Sequence, residues 1–130
     1  MRVWVNGTFD VIHAGHIDML RHASLFGKVR VGLDTDERVK SLKGQDRPIN
    51  TLRDRLTVID SIKFVDSYVF FGSDEELIKH IKLYNPDIIV VGAEYKGRVI
   101  GGDLALVIYY DRVKKLSSTS TIEKLGKCIK

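Results

Sequence analysis

Apolar runs alternate with stretches of helical spacing along this 130-residue chain. Short runs rich in apolar and β-branched residues predict strands at 3–5, 29–33, 65–71, 87–91 and 104–110. Between them, apolar residues three and four positions apart predict helices at 16–26 and 35–42, and further helices that start at Thr51, at Ser73 and within 117–121. Thr51 and Ser73 are typical N-cap residues, and Glu76 follows Ser73 at capping-box spacing.

Strands that are separated by helices are joined by right-handed crossovers, so the predicted sheet is mostly parallel. The continuous apolar runs at 88–91 and 104–110 favour the same arrangement, because parallel strands are covered on both faces. We therefore predict one α/β domain over residues 1–130, doubly wound and Rossmann-like, with a five-stranded parallel sheet. Ligands of such sheets bind beyond the carboxyl ends of the strands.

Composition agrees with a globular domain, since 44% of residues are hydrophobic and 29% are charged. No apolar run approaches the ~20 residues of a membrane span, and the first residues show no signal-peptide pattern. Cys128 is the single cysteine, which favours a reducing, cytoplasmic location. The net charge of +4 suits a small polyanion as well as nucleic acid. Because no basic run is interleaved with aromatic residues, we expect no nucleic-acid partner.

A polar loop joins the first strand to the first helix. It contains two groups of residues: Gly7, Thr8, Phe9 and Asp10, then His13, Ala14, Gly15 and His16. Helix N-termini in this position bind phosphate through backbone N–H groups and the helix dipole. Imidazole N–H groups also donate to phosphate oxygens, and a protonated ring adds charge. The loop lacks both the P-loop ending and the dinucleotide-binding glycine pattern.

The residues alone leave three other interpretations of this loop. Asn6 and Gly7 form a common hairpin turn, although no alternating strand follows them. His13 and His16 are residue types that bind zinc, but no third ligand is near in sequence. The two histidines could also be surface residues without a role. We favour phosphate binding, because the loop lies at the end of the first strand of an α/β sheet.

Gly-Thr-Phe-Asp followed by His-Ala-Gly-His resembles the cytidylyltransferase-like nucleotidyltransferases, which are marked by His-x-Gly-His. The resemblance extends over nearly the whole chain. The segments 42–44 and 47–50 are similar to a Leu-Lys-Gly and Arg-Pro-Val-Asn segment of bacterial heptose-1-phosphate adenylyltransferase domains. Arg55 and Val65-Asp66 also match those relatives. Ser118, Thr119 and Ser120 lie where they have Ser-Thr-Thr at the head of the last helix.

This resemblance implies that a substrate phosphate attacks the α-phosphate of a nucleoside triphosphate, with Mg²⁺ neutralising the triphosphate and no metal ligands from the protein. His13, His16, Lys43 and Arg55 are then the expected catalytic residues, with Arg55 on the phosphate of the incoming substrate. Tyr95 is a further expected substrate contact. The residues implied to bind the nucleotide are Gly7, Thr8, Phe9, Asp10, Gly15, Gly92, Glu94, Ser118, Thr119 and Ser120.

Some of these roles have plainer alternatives. Lys43 could be a solvated loop charge, Arg55 an exposed helix residue and Ser118 to Ser120 a simple N-cap. Glu94 departs from the family pattern, because relatives have aspartate there, and Leu116 replaces a usual glycine.

Adenylyl or cytidylyl transfer to a sugar phosphate such as heptose-1-phosphate is the leading hypothesis. Glycerol-3-phosphate cytidylyltransferase and FMN adenylyltransferase are the alternatives within the family, and a nucleotide-binding module without turnover is the alternative of another class. The intact motif residues argue against that module. The implied partners are a nucleoside triphosphate and a phosphorylated sugar or polyol, and a homodimer is an assembly found among relatives.

Overall fold

The structure is a computed structural model, which describes residues 1–111 apart from the side chain of Glu94. Within these residues, the strands are β1 (Arg2–Gly7), β2 (Lys28–Asp34), β3 (Ser67–Phe71), β4 (Ile88–Gly92) and β5 (Leu106–Tyr110). The helices are α1 (Ala14–Ser24), α2 (Asp36–Lys43), α3 (Leu52–Asp60) and α4 (Asp74–Tyr84), followed by a short 3₁₀ helix, Ala93–Tyr95. The final helix predicted from 117–121 lies outside the described residues.

All five described strands pair in parallel, in the order β3-β2-β1-β4-β5. This confirms the predicted α/β fold with a five-stranded parallel sheet. The order reverses beside β1, which pairs with β2 on one side and with β4 on the other. The carboxyl ends of β1 and β4 therefore diverge at the switch point, where such folds form their ligand crevice.

Successive residues of β1 serve two separate cores, one on each face of the sheet. Val3 and Val5 pack into a cluster that includes Leu20 of α1 and Ile59 of α3. Trp4 points to the other face, where its cluster includes Phe71, Leu77, Ile81 and Ile89. Both faces are apolar because helices cover both, which is the physical reason for the continuous apolar strands.

Side-chain caps set the starts of the helices after β2. Thr35, Thr51 and Ser73 each accept a hydrogen bond from the backbone N–H three residues on. Thr51 and Ser73 are thus confirmed as N-caps. The carboxylate of Glu76 accepts from the N–H of Gly72, at 3.1 Å, one residue before the expected capping-box partner.

Several boundaries differ from the predictions, and three of these differences have a clear local cause. Helix α1 starts at Ala14, two residues early, because His13 caps it. Strand β3 starts at Ser67, because Val65 closes a turn onto Ile62. Strand β5 starts at Leu106, after two successive turns over 99–104. Among residues 1–111, no helix is long and apolar enough to cross a membrane.

Candidate active site

A cleft of about 380 Å³ opens at the carboxyl ends of β1, β2, β3 and β4. Eight of the expected site residues line it: Gly7, Thr8, Phe9, Asp10, His16, Lys43, Gly92 and Tyr95. Four charged residues that the sequence analysis did not assign to the site also line it: Asp34, Arg38, Arg47 and Arg98. The position agrees with the expected phosphate site after the first strand.

His13 and His16 form a capping box at the start of α1. Nδ1 of His13 accepts from the N–H of Gly15 at 3.0 Å, and Nδ1 of His16 accepts from the N–H of His13 at 3.2 Å. The two rings lie 4.1 Å apart between centroids. His13 is only 8% exposed, whereas His16 reaches the cleft.

These two bonds determine which ring nitrogen carries the proton. A nitrogen that accepts a hydrogen bond is unprotonated, so a neutral ring holds its proton on Nε2. Protonating either ring fully would remove the lone pair that caps the helix. With Nδ1 engaged as an acceptor, the N–H donor that each ring has for a phosphate oxygen is Nε2–H.

The first turn of α1 contains no acidic residue. Its positive dipole end is therefore not neutralised within the helix, and it favours an anion at this end. Gly15 lies in this turn, buried, with its N–H already bound to His13. The positive end of the helix and the imidazole of His16 together make this part of the cleft suitable for phosphate.

Phe9 gives the loop its shape. Its φ of 51° is in the left-handed region, which non-glycine residues seldom adopt. The ring is 4% exposed and lies 5.6 Å from His16 between centroids. A Cβ on Gly7 would approach this ring to 3.1 Å, so glycine there lets the ring pack against the strand end.

Asp10, in the loop after β1, binds the loop between α2 and α3 through hydrogen bonds. Its carboxylate accepts from the backbone N–H groups of Ile49 and Asn50, both at 2.7 Å. The Asn50 amide returns a hydrogen bond to the Asp10 carbonyl at 2.6 Å, and Arg47 Nε lies 3.4 Å from Asp10 Oδ2. Asp10 therefore orients the loop, and its expected contact with the nucleotide stays a prediction.

Lys43 closes a chain of polar contacts across the cleft. Its Nζ donates to Thr8 Oγ1 at 3.2 Å, and Thr8 donates to Asp34 Oδ2 at 3.2 Å. Asp34 also pairs with Arg38, whose other partner is Asp74. Burial lowers the pKa of Lys43, and the neighbouring positive charge of Arg47 lowers it further. The ammonium group of Lys43 thus donates to a neutral hydroxyl, and it can exchange this hydrogen bond for one to an anionic ligand.

Known proteins share the sequence pattern and the fold of this chain. The family model described as Cytidylyltransferase-like matches residues 4–124. The chain belongs to the cytidylyltransferase-like family. It is 43% identical over 131 residues to the bifunctional protein HldE of a Nitratiruptor species, covering 97% of this chain and 28% of that protein. HldE of Campylobacter curvus is 43% identical over 126 residues, covering 94% of this chain and 26% of its own length. The chain thus spans about a quarter of these curated relatives.

Two solved structures have similar folds. A lipopolysaccharide core biosynthesis protein from Thermoplasma volcanium aligns with a TM-score of 0.68 at 27% identity, covering 90% of this chain and 98% of that one. Pantoate-beta-alanine ligase from Francisella tularensis aligns with a TM-score of 0.65 at 16% identity, covering 97% of this chain and 69% of that one. The second likeness concerns the fold alone.

Three of the residues that were expected in the site, His13, Gly15 and Arg55, do not line the cleft. His13 and Gly15 lie behind His16 in the first turn of α1. Arg55 is 1% exposed, so it is not the exposed helix residue considered as an alternative. The backbone of Glu94 lies in the short 3₁₀ helix directly after β4. Ser118, Thr119 and Ser120 lie outside the described residues.

Two of the four cleft residues that the sequence analysis did not assign, Asp34 and Arg38, carried detectable signals. Asp34 ends β2 directly after a buried strand, and polar residues at the carboxyl ends of parallel strands meet in the ligand crevice. Arg38 follows one helical turn later and pairs with Asp34 at 2.8 Å. Burial lowers the pKa of Arg38, but its hydrogen bonds to Asp74 and Asp34 outweigh this and raise it overall. Arg47 and Arg98 had no comparable signal, because loop arginines are common.

The carboxylates of the cleft do not fit a resident magnesium ion. Both oxygens of Asp10 accept from backbone N–H groups, and both oxygens of Asp34 accept from Arg38 and Thr8. Within residues 1–111, no group of three His, Cys, Asp or Glu residues could hold a metal ion.

Proposed function

We propose that this chain transfers the adenylyl group of ATP to the phosphate of heptose-1-phosphate and releases pyrophosphate. The observation that carries the proposal is the anion site of the cleft, where the capped start of α1 lies near Lys43 and Arg47. Relatives named HldE, and the resemblance of the segment 42–50 to heptose-1-phosphate adenylyltransferase domains, support this acceptor. The cytoplasm, where ATP is available, is the proposed location.

The acceptor phosphate is its own nucleophile. A phosphate monoester is largely dianionic near pH 7, since its second pKa is about 6. Its oxygen forms the new bond to the α-phosphorus of ATP, and the bond from that phosphorus to the bridging oxygen breaks. Pyrophosphate leaves with the electron pair. No general base is needed, so the protein's task is to align two anions and stabilise the transferring group.

The described residues suit that task in distinct ways. His16, held by its cap bond, presents its imidazole Nε2–H as a donor to the transferring phosphoryl group. Lys43 moves from Thr8 Oγ1 to the triphosphate and neutralises charge. Magnesium enters as part of the metal–nucleotide substrate. Gly92 and Tyr95 line the cleft at the end of β4, and Gly92, Glu94, Tyr95 and Ser118 to Ser120 remain predicted contacts of the nucleotide or the acceptor.

The test is pyrophosphate release with ATP or CTP, each combined with heptose-1-phosphate, glycerol-3-phosphate or FMN. We expect release with ATP and heptose-1-phosphate, at a kcat/KM at least about 10-fold above every other pair, because one misplaced group costs about that much. Preference for CTP with glycerol-3-phosphate would replace the proposal by the cytidylyltransferase alternative. Nucleotide binding without release for any pair would favour a binding module.

A further inference from the structure

Arg55 is a buried arginine whose guanidinium reaches three different loops. Nε donates to the carbonyl of Asn50 at 3.1 Å, and Nη1 donates to the carbonyls of Thr8 at 2.9 Å and Asp34 at 2.8 Å. Nη2 donates to the Asp36 carboxylate at 2.7 Å. The side chain has no exposed surface. These four bonds use most of the five donors of a guanidinium.

The three carbonyls belong to the segments that border the cleft. Thr8 follows β1, Asp34 ends β2, and Asn50 precedes α3. A buried carbonyl without a donor costs roughly 1–3 kcal/mol, so these bonds strongly favour the present loop positions. A phosphate contact in the cleft would require the guanidinium, which is fully buried and does not line the cleft, to leave several of these partners.

We infer that Arg55 is a positioning residue, which holds Thr8 and the loop 44–51 around the cleft instead of contacting a phosphate. The inference deepens the proposed function, because it assigns a role within that same site. A planar guanidinium with donors on both sides joins three carbonyls at once, whereas a lysine ammonium on a flexible stem does not match this fork geometry.

Arg55 connects two sets of polar contacts at the cleft, one that includes Thr8 and one that includes Asn50. It holds the carbonyl of Thr8, whose hydroxyl accepts from Lys43 and donates to Asp34. It also holds the carbonyl of Asn50, whose N–H is bound by Asp10. Loss of Arg55 should therefore loosen both Thr8 and the segment around Asn50, even without substrate.

The first test measures amide hydrogen exchange of the full chain without ligands, for the wild type and for Arg55→Lys. We expect the amides of Ile49 and Asn50 to exchange at least about 10-fold faster in the variant, because local opening is then less costly. The core amides of Val5 and Val31 should keep their protection. Arg53→Lys, on the same helix and exposed, is the matched control and should change none of them.

Two outcomes would overturn the inference. Unchanged protection at Ile49 and Asn50 would show that Arg55 does not hold the loop, and uniform loss of protection would assign it to general stability. Because no substrate is present, this result stands even if the proposed acceptor is wrong. Should Arg55→Lys fail to fold, Asp36→Ala serves as the second variant, because it removes one of the four hydrogen-bond partners of Arg55. We then expect the amide of Ile49 to exchange about threefold faster, and unchanged exchange would overturn the inference.

The second test is kinetic. A misplaced site lowers turnover by about 10²-fold, so we expect that loss in kcat for Arg55→Lys, with the KM values of ATP and the acceptor each changed less than about threefold. A large rise in KM for one substrate alone, with kcat retained, would instead indicate a direct phosphate contact and contradict the inference. Arg53→Lys again serves as the control.

Discussion

At the scale of single residues, the two histidines of the motif combine a structural and a chemical task. Each ring uses Nδ1 to cap α1 and is left with Nε2–H as its donor. The apolar spacing predicted a helix start at His16, and the cap at His13 was missed because the usual N-cap residues are Ser, Thr, Asp and Asn. The motif itself is detectable because its position after the first strand points to phosphate.

We expect His16→Ala to lower kcat by about 10²-fold, because it removes one preorganised donor. The unfolding free energy should fall by about 1 kcal/mol, since the variant also loses a helix cap. Pyrophosphate release and urea unfolding measure the two effects separately. His80→Ala, on α4 away from the cleft, is the control and should keep its turnover. Turnover near the wild-type value in His16→Ala would remove this imidazole from the mechanism.

Lys43 should make kcat/KM for ATP fall at a lower alkaline pH than an ordinary lysine would. Its protonated form attracts the triphosphate, and burial has lowered its pKa below that of an ordinary lysine. As pH rises, the free enzyme therefore loses this charge sooner, and kcat/KM for ATP declines at a lower pH than an ordinary lysine would give. In Lys43→Arg the decline should move to higher pH, because arginine stays protonated. An identical decline in both proteins would contradict this assignment.

At the scale of elements, the alternation of apolar runs and helical spacing was sufficient for every described strand and α-helix, but it did not predict the short 3₁₀ helix Ala93–Tyr95. The other errors lie at boundaries, where local turns decide. Val65 is a β-branched residue of the kind that favours strands, but the turn onto Ile62 delays the start of β3 to Ser67. Periodicity does not report such turns, since they depend on hydrogen bonds of individual backbone groups.

Gly32 of β2 lies against the ring of Trp4 from β1. A Cβ at this position would be 2.6 Å from Cζ2 of that ring, and 3.2 Å from Phe71. We expect Gly32→Ala to lower the unfolding free energy by about 1–3 kcal/mol, the usual cost of overpacking a core. Gly72→Ala is the matched control, because its nearest contact would be an ordinary 3.5 Å. Equal urea midpoints for the two variants would contradict the packing described here.

At the scale of the whole molecule, the sheet order sets where chemistry is possible. The family, fold and cleft position followed from the strand pattern and the motif. The arrangement of Arg55, Asp10 and Lys43 did not, because it depends on contacts between segments about 20 to 47 residues apart in sequence. Hydrophobic periodicity predicts local secondary structure, and it does not predict which residues distant in sequence come into contact.

Nucleotide binding should stabilise the entire domain, since the cleft joins loops from β1 to β4. With ATP at 100 times its Kd, we expect the free energy of unfolding to rise by about 2.7 kcal/mol. Thermal unfolding at increasing ATP concentration measures this. The same titration with inorganic phosphate tests how much of the effect belongs to the anion site alone. A melting temperature independent of ATP would argue against a nucleotide site in this cleft.

His16 both caps α1 and is the proposed donor to the phosphoryl group, and this has a practical consequence for crystallising a complex with both substrates. An alanine at this position disturbs the start of the very helix that must receive the phosphates, so an inactive complex made with it would misreport their placement. Glutamine is a residue that capping boxes use at this position, where it reaches back to the N–H of the capping residue. His16→Gln is therefore the better choice for trapping an unreacted ternary complex.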